Sequence, residues 1–344
     1  MDIRLKFLFP VLPALVMLTG CSDIFEPNIP STPIPVIYGV ISPQDSTYSV
    51  RLTKTFIGAG NALDYARIPD SIYYANAKVF LETRNLTGGL ISRTELQERT
   101  IEARLPGIFA TAPNRIFQTD ASQIRLRPED FPTDAYNLNL WLKVVVPGQA
   151  DTISAATRLR TIPRLTEPRY TFVRVYFYTE EPFLMEWYDT NKESYFQILV
   201  RMHYTDFLYD GEREMTAEWV LSGIETNMTG YPGGGHKYYS YYFRPENFYA
   251  KVRSVIPPDP EVEARICRKV DFIVLSSNRE MEYYRDVYEI SDDYHGTGYS
   301  NITNGFGIFT TYSSTGIYGL ELGRTEQDSL AAGRYTRHLR FRSY

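Results

Sequence analysis

Few residues in this chain are of the types that do chemistry, and their spacing limits what they can do. The four histidines, His203, His236, His295 and His338, share no spacing, and the only two cysteines, Cys21 and Cys267, lie far apart. No His-x-x-x-His or Cys-x-x-Cys pattern occurs, so the sequence implies no metal and no cofactor. Cys267 stands in the apolar stretch 264–277 with no histidine beside it in sequence, which suits a buried structural thiol better than a nucleophile. Two acidic pairs, Glu180–Glu181 and Asp292–Asp293, have the residue type for acid–base work or calcium binding. Neighbours on a strand face opposite ways, and the second pair matches no calcium-loop spacing, so it reads as a solvated loop. The glycines 233–235 are followed by neither Gly-Lys-Ser/Thr nor a helical pattern, and read as a flexible loop. The run Tyr238–Phe243 makes both faces of a strand aromatic. Tyr239, Tyr241 and Tyr242 on it are the candidate contacts for a sugar or protein ligand. An enzyme is therefore the weakest of the functional readings.

Cys21 has a context of its own. A basic start with Arg4 and Lys6 precedes the apolar run 7–18, which Pro10 and Pro13 interrupt. Such a run is too short to cross a bilayer as a helix and reads as a secretory leader, residues 1–20. Leu18-Thr19-Gly20-Cys21 resembles the lipobox of bacterial lipoproteins. That resemblance implies cleavage before Cys21, a diacylglycerol on its thiol and a further acyl group on the new amino terminus. Two or more chains make a stable anchor where one does not. An ordinary secreted protein is the alternative. Ser22 stands where an inner-membrane retention signal tends to have Asp, which favours the outer membrane, and Asp23 and Glu26 hint at the cell surface.

The elements that must position a site are mostly strands. Residues 21–33 are polar and proline-rich, a tether. After it, an apolar run at 36–41, turn residues at 42–46 and strict alternation of Tyr48, Val50 and Leu52 predict a hairpin. Alternation returns at Ala77, Val79 and Leu81, and again at Leu138, Leu140, Leu142 and Val144 before a Pro147-Gly148 turn and a returning strand. The expectation for 34–163 is an antiparallel sandwich of the immunoglobulin or transthyretin type. Residues 164–344 predict a second β-rich domain, with clean alternation from Phe196 to Tyr204 and one helix. That helix follows the capping-box spacing Ser277–Glu280 and puts Met281, Tyr284 and Tyr288 on one face. The fold class is mainly β. Aromatics make up 15% of the chain, with 28 Tyr against 3 Trp, which suits both strands and a binding face. A formal net charge of −5 gives no electrostatic footprint for nucleic acid.

In "NITNGFGIF", Gly305 and Gly307 permit positive φ or close approach of another chain, while Phe306, Ile308 and Phe309 can fill a core. The reading is a structural turn entering a core strand; a ligand loop is the alternative. The same Asn-x-x-Asn-Gly-x-Gly-x-Phe element, with a Tyr-paired helix before it, resembles the closing segment of a Bacteroidota outer-membrane lipoprotein family known as a domain of unknown function. The strand 36–56 soon after the cysteine and "TRLRTIP" at 157–163 resemble that family too. Where the family carries a Pro-Phe-x-x-Pro-type stretch before the Asn-Gly element, this chain has "DDYHGTGYS". The resemblance implies a place in the outer membrane and a TonB-dependent receptor-like β-barrel as partner; it assigns no catalytic residue. The function it implies is a noncatalytic accessory or binding subunit of such a barrel, with a glycan or peptide as ligand. A stand-alone surface module for glycan or matrix is the alternative. Ser46, Ser71, Thr152 and Ser329 each follow an aspartate, as in O-glycosylation sites of this group of bacteria; Asp-Ser/Thr pairs are also good turn formers.

Overall fold

The computed structural model describes residues 32–56, 61–127, 138–171, 173–177, 182–190, 194–223, 237–288 and 298–344. Cys21, the leader and the tether as far as residue 31 lie outside these residues, as do Glu180–Glu181, Gly233–Gly235, Asp292–Asp293, His236 and His295. The protein is mainly β. Its first half contains β1 (Pro35–Ile41), β2 (Thr47–Lys54), the short helices α1 (Ala62–Ala66) and α2 (Pro69–Ile72), β3 (Lys78–Asn85), β4 (Leu90–Ile101), β5 (Asn114–Asp120), β6 (Leu138–Val145) and β7 (Ile153–Arg158). The second half contains β8 (Arg164–Glu167), β9 (Arg174–Val175), β10 (Phe183–Asp189), β11 (Tyr195–Leu208), β12 (Gly211–Gly223), β13 (Lys237–Phe243), α3 (Pro245–Val255), β14 (Val262–Ser277), α4 (Arg279–Tyr288), β15 (Phe306–Leu322) and α5 (Arg324–Ala332).

One sheet runs through both halves in the order β12-β11-β14-β15-β1-β2-β5-β4-β3-β6-β7, with β9 added to β15. Its first-half strands bury the alternating set the sequence marked: Tyr48, Val50 and Leu52 on β2, Val79 and Leu81 on β3, and Leu138, Leu140, Leu142 and Val144 on β6. This part of the sheet closes on itself. Ser154 of β7 exchanges both backbone bonds with Thr303, just ahead of β15, at 2.8 and 3.3 Å. The core expected within 34–163 therefore takes Ile302 and Phe309 from far down the chain.

The glycine-rich element performs that closure. Asn301 clamps Phe309 with its side-chain amide, accepting from the Phe309 N–H at 2.9 Å and donating to its carbonyl at 2.7 Å. Asn304, at φ 59°, donates to the Thr152 carbonyl at 3.1 Å. Phe309 is fully buried and Ile308 nearly so, whereas Phe306, expected in the core, is exposed. Gly39 leaves the space the Phe309 ring fills, since a Cβ there would lie 2.8 Å from the ring. β15 runs parallel to β1 over Phe306–Thr311, antiparallel to β14 over Tyr312–Leu320, and takes β9 at its last residues.

In the second half the sheet β12-β11-β14-β15 faces a three-stranded sheet, β13-β10-β8, across an aromatic core. Phe196 of β11 meets Tyr239 of β13 at 4.5 Å and Trp187 of β10 at 5.3 Å between ring centroids. The expected helix is α4, whose Tyr284 meets Tyr38 of β1 edge-on at 6.3 Å. Two further helices correct the expectation of one. Helix α3 starts on Pro245 and buries Phe248 and Val252 against β12, with Trp219 and Phe248 at 5.5 Å. Helix α5 buries Leu330 and turns Glu326 inward to accept the Phe177 N–H at 2.8 Å.

A buried polar cluster joins the halves where the chain crosses between them. Arg160 donates to Asp189 at 2.6 Å and to Ser276 at 2.6 Å, and also to Ser194. Next to it, the Asn278 amide donates to Thr157, the Arg158 carbonyl and Thr311, at 2.9, 2.8 and 3.2 Å. Burial pushes the Arg160 guanidinium below its usual value, and the Asp189 charge beside it opposes that shift.

Candidate functional site

Strand parity sorts the tyrosine run. On β13 the residues Tyr239, Tyr241 and Phe243 pair with Trp187, Met185 and Phe183 of β10, and all point inward. Tyr239 is 3% exposed, so it is a core residue and is not available as a ligand contact without opening the core. Tyr241 packs against the same core and is half-buried, while Tyr242 is exposed on the outer face beside Leu184. That outer face also carries Tyr238 and Tyr188, with ring centroids 5.5 Å apart, and Arg164, which donates to the Tyr188 hydroxyl at 3.0 Å. Of the three tyrosines singled out in the sequence, only Tyr242 offers a ligand its full ring.

The larger opening lies around the corner from that face. Where β9 joins the end of β15, an open groove of about 1080 Å³ is lined by the β8–β9 connection, β9, the start of β10 and residues 318–321 of β15. Three partly exposed tyrosines, Tyr170, Tyr176 and Tyr318, stand in its wall. Between them sit charges of both signs: Arg174 donates to Glu321 at 3.2 Å, and Lys269 and Glu167 share the lining. Leu184 lines this groove and pairs with Tyr242 across β10 and β13. No protein-family model matches the sequence, and no curated protein does either. What the groove can do must be read from its chemistry. Exposed phenol rings offer flat apolar faces with a polar tip, and mixed charges at the rim offer hydrogen bonds without a strong field of one sign. That combination suits a neutral or mildly charged, hydroxyl-rich or peptide-like ligand.

Behind the groove the sheet carries a titratable pair. His203 on β11 meets the Asp271 carboxylate on β14 at 2.9 Å from Nε2, and the Thr216 hydroxyl on β12 lies 3.4 Å from its Nδ1. Asp271 also accepts the N–H of Gly319, a groove residue, at 2.7 Å. The carboxylate thus fixes the imidazole on one side and the groove wall on the other. Burial pushes the Tyr318 phenol above its usual value, and the Asp271 charge adds to the shift. Sequence reasoning missed this pair. Parity put His203 on the face opposite Met202 and Tyr204, but nothing in the sequence aligns β11 with β14. Among the described residues, no three or more His, Cys, Asp or Glu side chains gather as a metal ion requires.

The remaining candidates are scattered. Cys267 is free and buried in β14. Ser46 and Thr152 are exposed at turns, Ser71 is half-buried in α2, and Ser329 lies on α5 where its hydroxyl meets the Tyr249 phenol. The structure brings none of these four beside another. No helix among the described residues is long and apolar enough to cross a membrane.

Proposed function

We propose that this protein is a lipid-anchored outer-membrane binding subunit that holds an extended ligand in the tyrosine-lined groove and works beside a TonB-dependent receptor-like β-barrel. The groove with Tyr170, Tyr176 and Tyr318 carries the binding part of this reading. The anchor and the barrel rest on the sequence: on Leu18–Cys21, and on the family resemblance of the Asn-Gly element. A noncatalytic role fits a site whose polar groups line an open trough in place of converging on one reacting atom. Glycans fit such a trough well, since sugar ring faces stack on phenols and their hydroxyls bond to the rim charges.

The test is a detergent pull-down of the tagged protein from native outer membrane, beside a Cys21→Ala control. One barrel recovered in near-equal amount, and lost in the control, supports the partnership. A groove variant, Tyr170→Ala with Tyr318→Ala, should keep the barrel and lose retention on the cognate glycan or peptide. Recovery of the lipoprotein alone from every membrane preparation would overturn the barrel partnership and leave a stand-alone glycan-binding module.

A further inference from the structure

The first described residues of the chain and a set of uncovered apolar side chains lie at the same end of the first sandwich. The Pro33 carbonyl accepts from Tyr74 at 2.8 Å and from Gln149 at 3.1 Å, and Ile34 is tied to Thr55 by two bonds of 2.9 Å. Phe56, next in the chain, stacks on Tyr65 of α1 at 6.0 Å. The neighbouring Ala66 carbonyl accepts the N–H of Ala110, in the β4–β5 loop, at 2.9 Å. Chain entry, α1 and the β4–β5 loop are thus one connected surface.

That surface exposes Leu63 and Ile68 from α1 and its flank, and Leu105, Ile108 and Phe109 from the loop. Leu105 is 89% exposed. The loop is held in place: the Arg104 N–H donates to the Thr111 carbonyl at 2.9 Å, and its guanidinium donates to the Tyr73 hydroxyl at 2.8 Å. A fixed loop that displays several large apolar side chains together marks a contact surface. Exposed charges around it have both signs, Arg67 with Asp64, Asp70 and Glu102, so apolar burial and not net charge must drive the contact.

We infer that this end is an interfacial membrane contact, with Leu105, Ile108 and Phe109 inserted at the headgroup–acyl boundary of the same bilayer that holds Cys21. This rests on the lipid-anchor reading. About a dozen residues separate Cys21 from Pro33. A chain of that length, fully drawn out, reaches about 40 Å. The anchor therefore keeps this end of the fold at the bilayer and presents the apolar loop at high effective concentration, so shallow insertion suffices. Arg67 against Asp64, Asp70 and Glu102 leaves this end mildly acidic, so anionic lipid does not attract it and apolar insertion must hold the contact. The consequence for the groove is a fixed height and tilt above the membrane.

The test uses the acylated full-length protein in vesicles of phosphatidylethanolamine and phosphatidylglycerol. Leu105→Cys carries an environment-sensitive fluorophore, with Tyr209→Cys on the 95% exposed β11–β12 turn as control; Cys267 is buried and stays unlabelled. Co-flotation with vesicles, an unchanged urea melt, a blue shift at 105 and at least twofold quenching by brominated acyl chains, with none at 209, is the expected result. Co-flotation with position 105 still in water would overturn the membrane contact and leave the anchor standing. A protein that fails to float would overturn the anchor reading and this contact with it. A blue shift that lipid-borne quencher does not touch would identify a protein neighbour, a second copy or a barrel, and would also overturn the assignment.

Discussion

A Cβ built on Gly307 would lie 1.9 Å from the carbonyl oxygen of Ile37, so β15 and β1 touch backbone to backbone where they pair in parallel. Gly307 also holds φ at 110°, a conformation side chains rarely adopt. Gly307→Ala should push the strands apart and cost at least about 3 kcal/mol in urea denaturation, or prevent folding outright. Gly319→Ala is the comparison. Its φ is also positive, but nothing lies nearer than the Lys269 side chain at 3.5 Å, so strain alone should cost about 1 kcal/mol. Equal losses at the two sites would refute the close-approach explanation.

Arg160 and Asp189 form a fully buried pair, and removing one partner should hurt more than removing both. Arg160→Leu strands the Asp189 carboxylate between Ser194 and Ser276 and should cost about 3–5 kcal/mol. Arg160→Leu with Asp189→Leu should recover a substantial part of that loss. A double-mutant cycle in urea measures the coupling, and additive effects would show that the pair does not act as a unit.

High pH should unfold the protein through its buried weak acids. Burial raises the Cys267 thiol to about 12 and the Tyr299 phenol to about 12, and pushes the Tyr249 phenol up as well. The folded state keeps these protons where the unfolded chain gives them up. Stability is therefore fully present below about pH 9, the ordinary range of a free thiol, and is lost as pH rises towards 12. Cys267→Ala should flatten the thiol's share of that slope. Thiol labelling at pH 8 should track global unfolding; fast labelling of the native protein would contradict the burial.

Asp271 should matter to the groove more than His203 does. His203→Asn removes one partly exposed contact and should cost under about 1 kcal/mol with ligand affinity nearly unchanged. Asp271→Ala also frees the Gly319 N–H in the groove wall and should weaken ligand binding about tenfold or more. Isothermal titration with a glycan or peptide that the proposed groove retains reads both. A larger loss at His203 than at Asp271 would point to an imidazole that itself touches the ligand.

The strands that alternate were legible in the sequence, and the surfaces between them were not. Phe196, Ile198, Val200, Met202 and Tyr204 are all buried as their period demanded, because β11 has one dry face. Strand β4 left no such mark, since most of Leu90–Ile101 is exposed, and α5 hid because two of its three buried residues are Glu326 and Gln327. Helix α3 did carry readable signals: Pro245 at its start, Glu246 in its first turn, Arg253 in its last, and Phe248, Val252 and Ile256 four apart. The Asn301–Phe309 element was recognisable as a turn into a core strand, but not as the closure of a sandwich that begins some 270 residues earlier. The groove depends on β9, a two-residue strand that pairs with the end of β15, and no local pattern announces it.

Because the segment 302–322 supplies Ile302 and Phe309 to the first core and Ile317, Leu320 and Leu322 to the second, neither half can finish until the carboxy-terminal segment has been made. A chain made amino terminus first therefore holds a first sandwich that lacks a wall until its last segment follows. The fold therefore checks its own length. A molecule cut short before residue 298 leaves both cores open to proteases, whereas a complete one closes both with one strand and the turn before it.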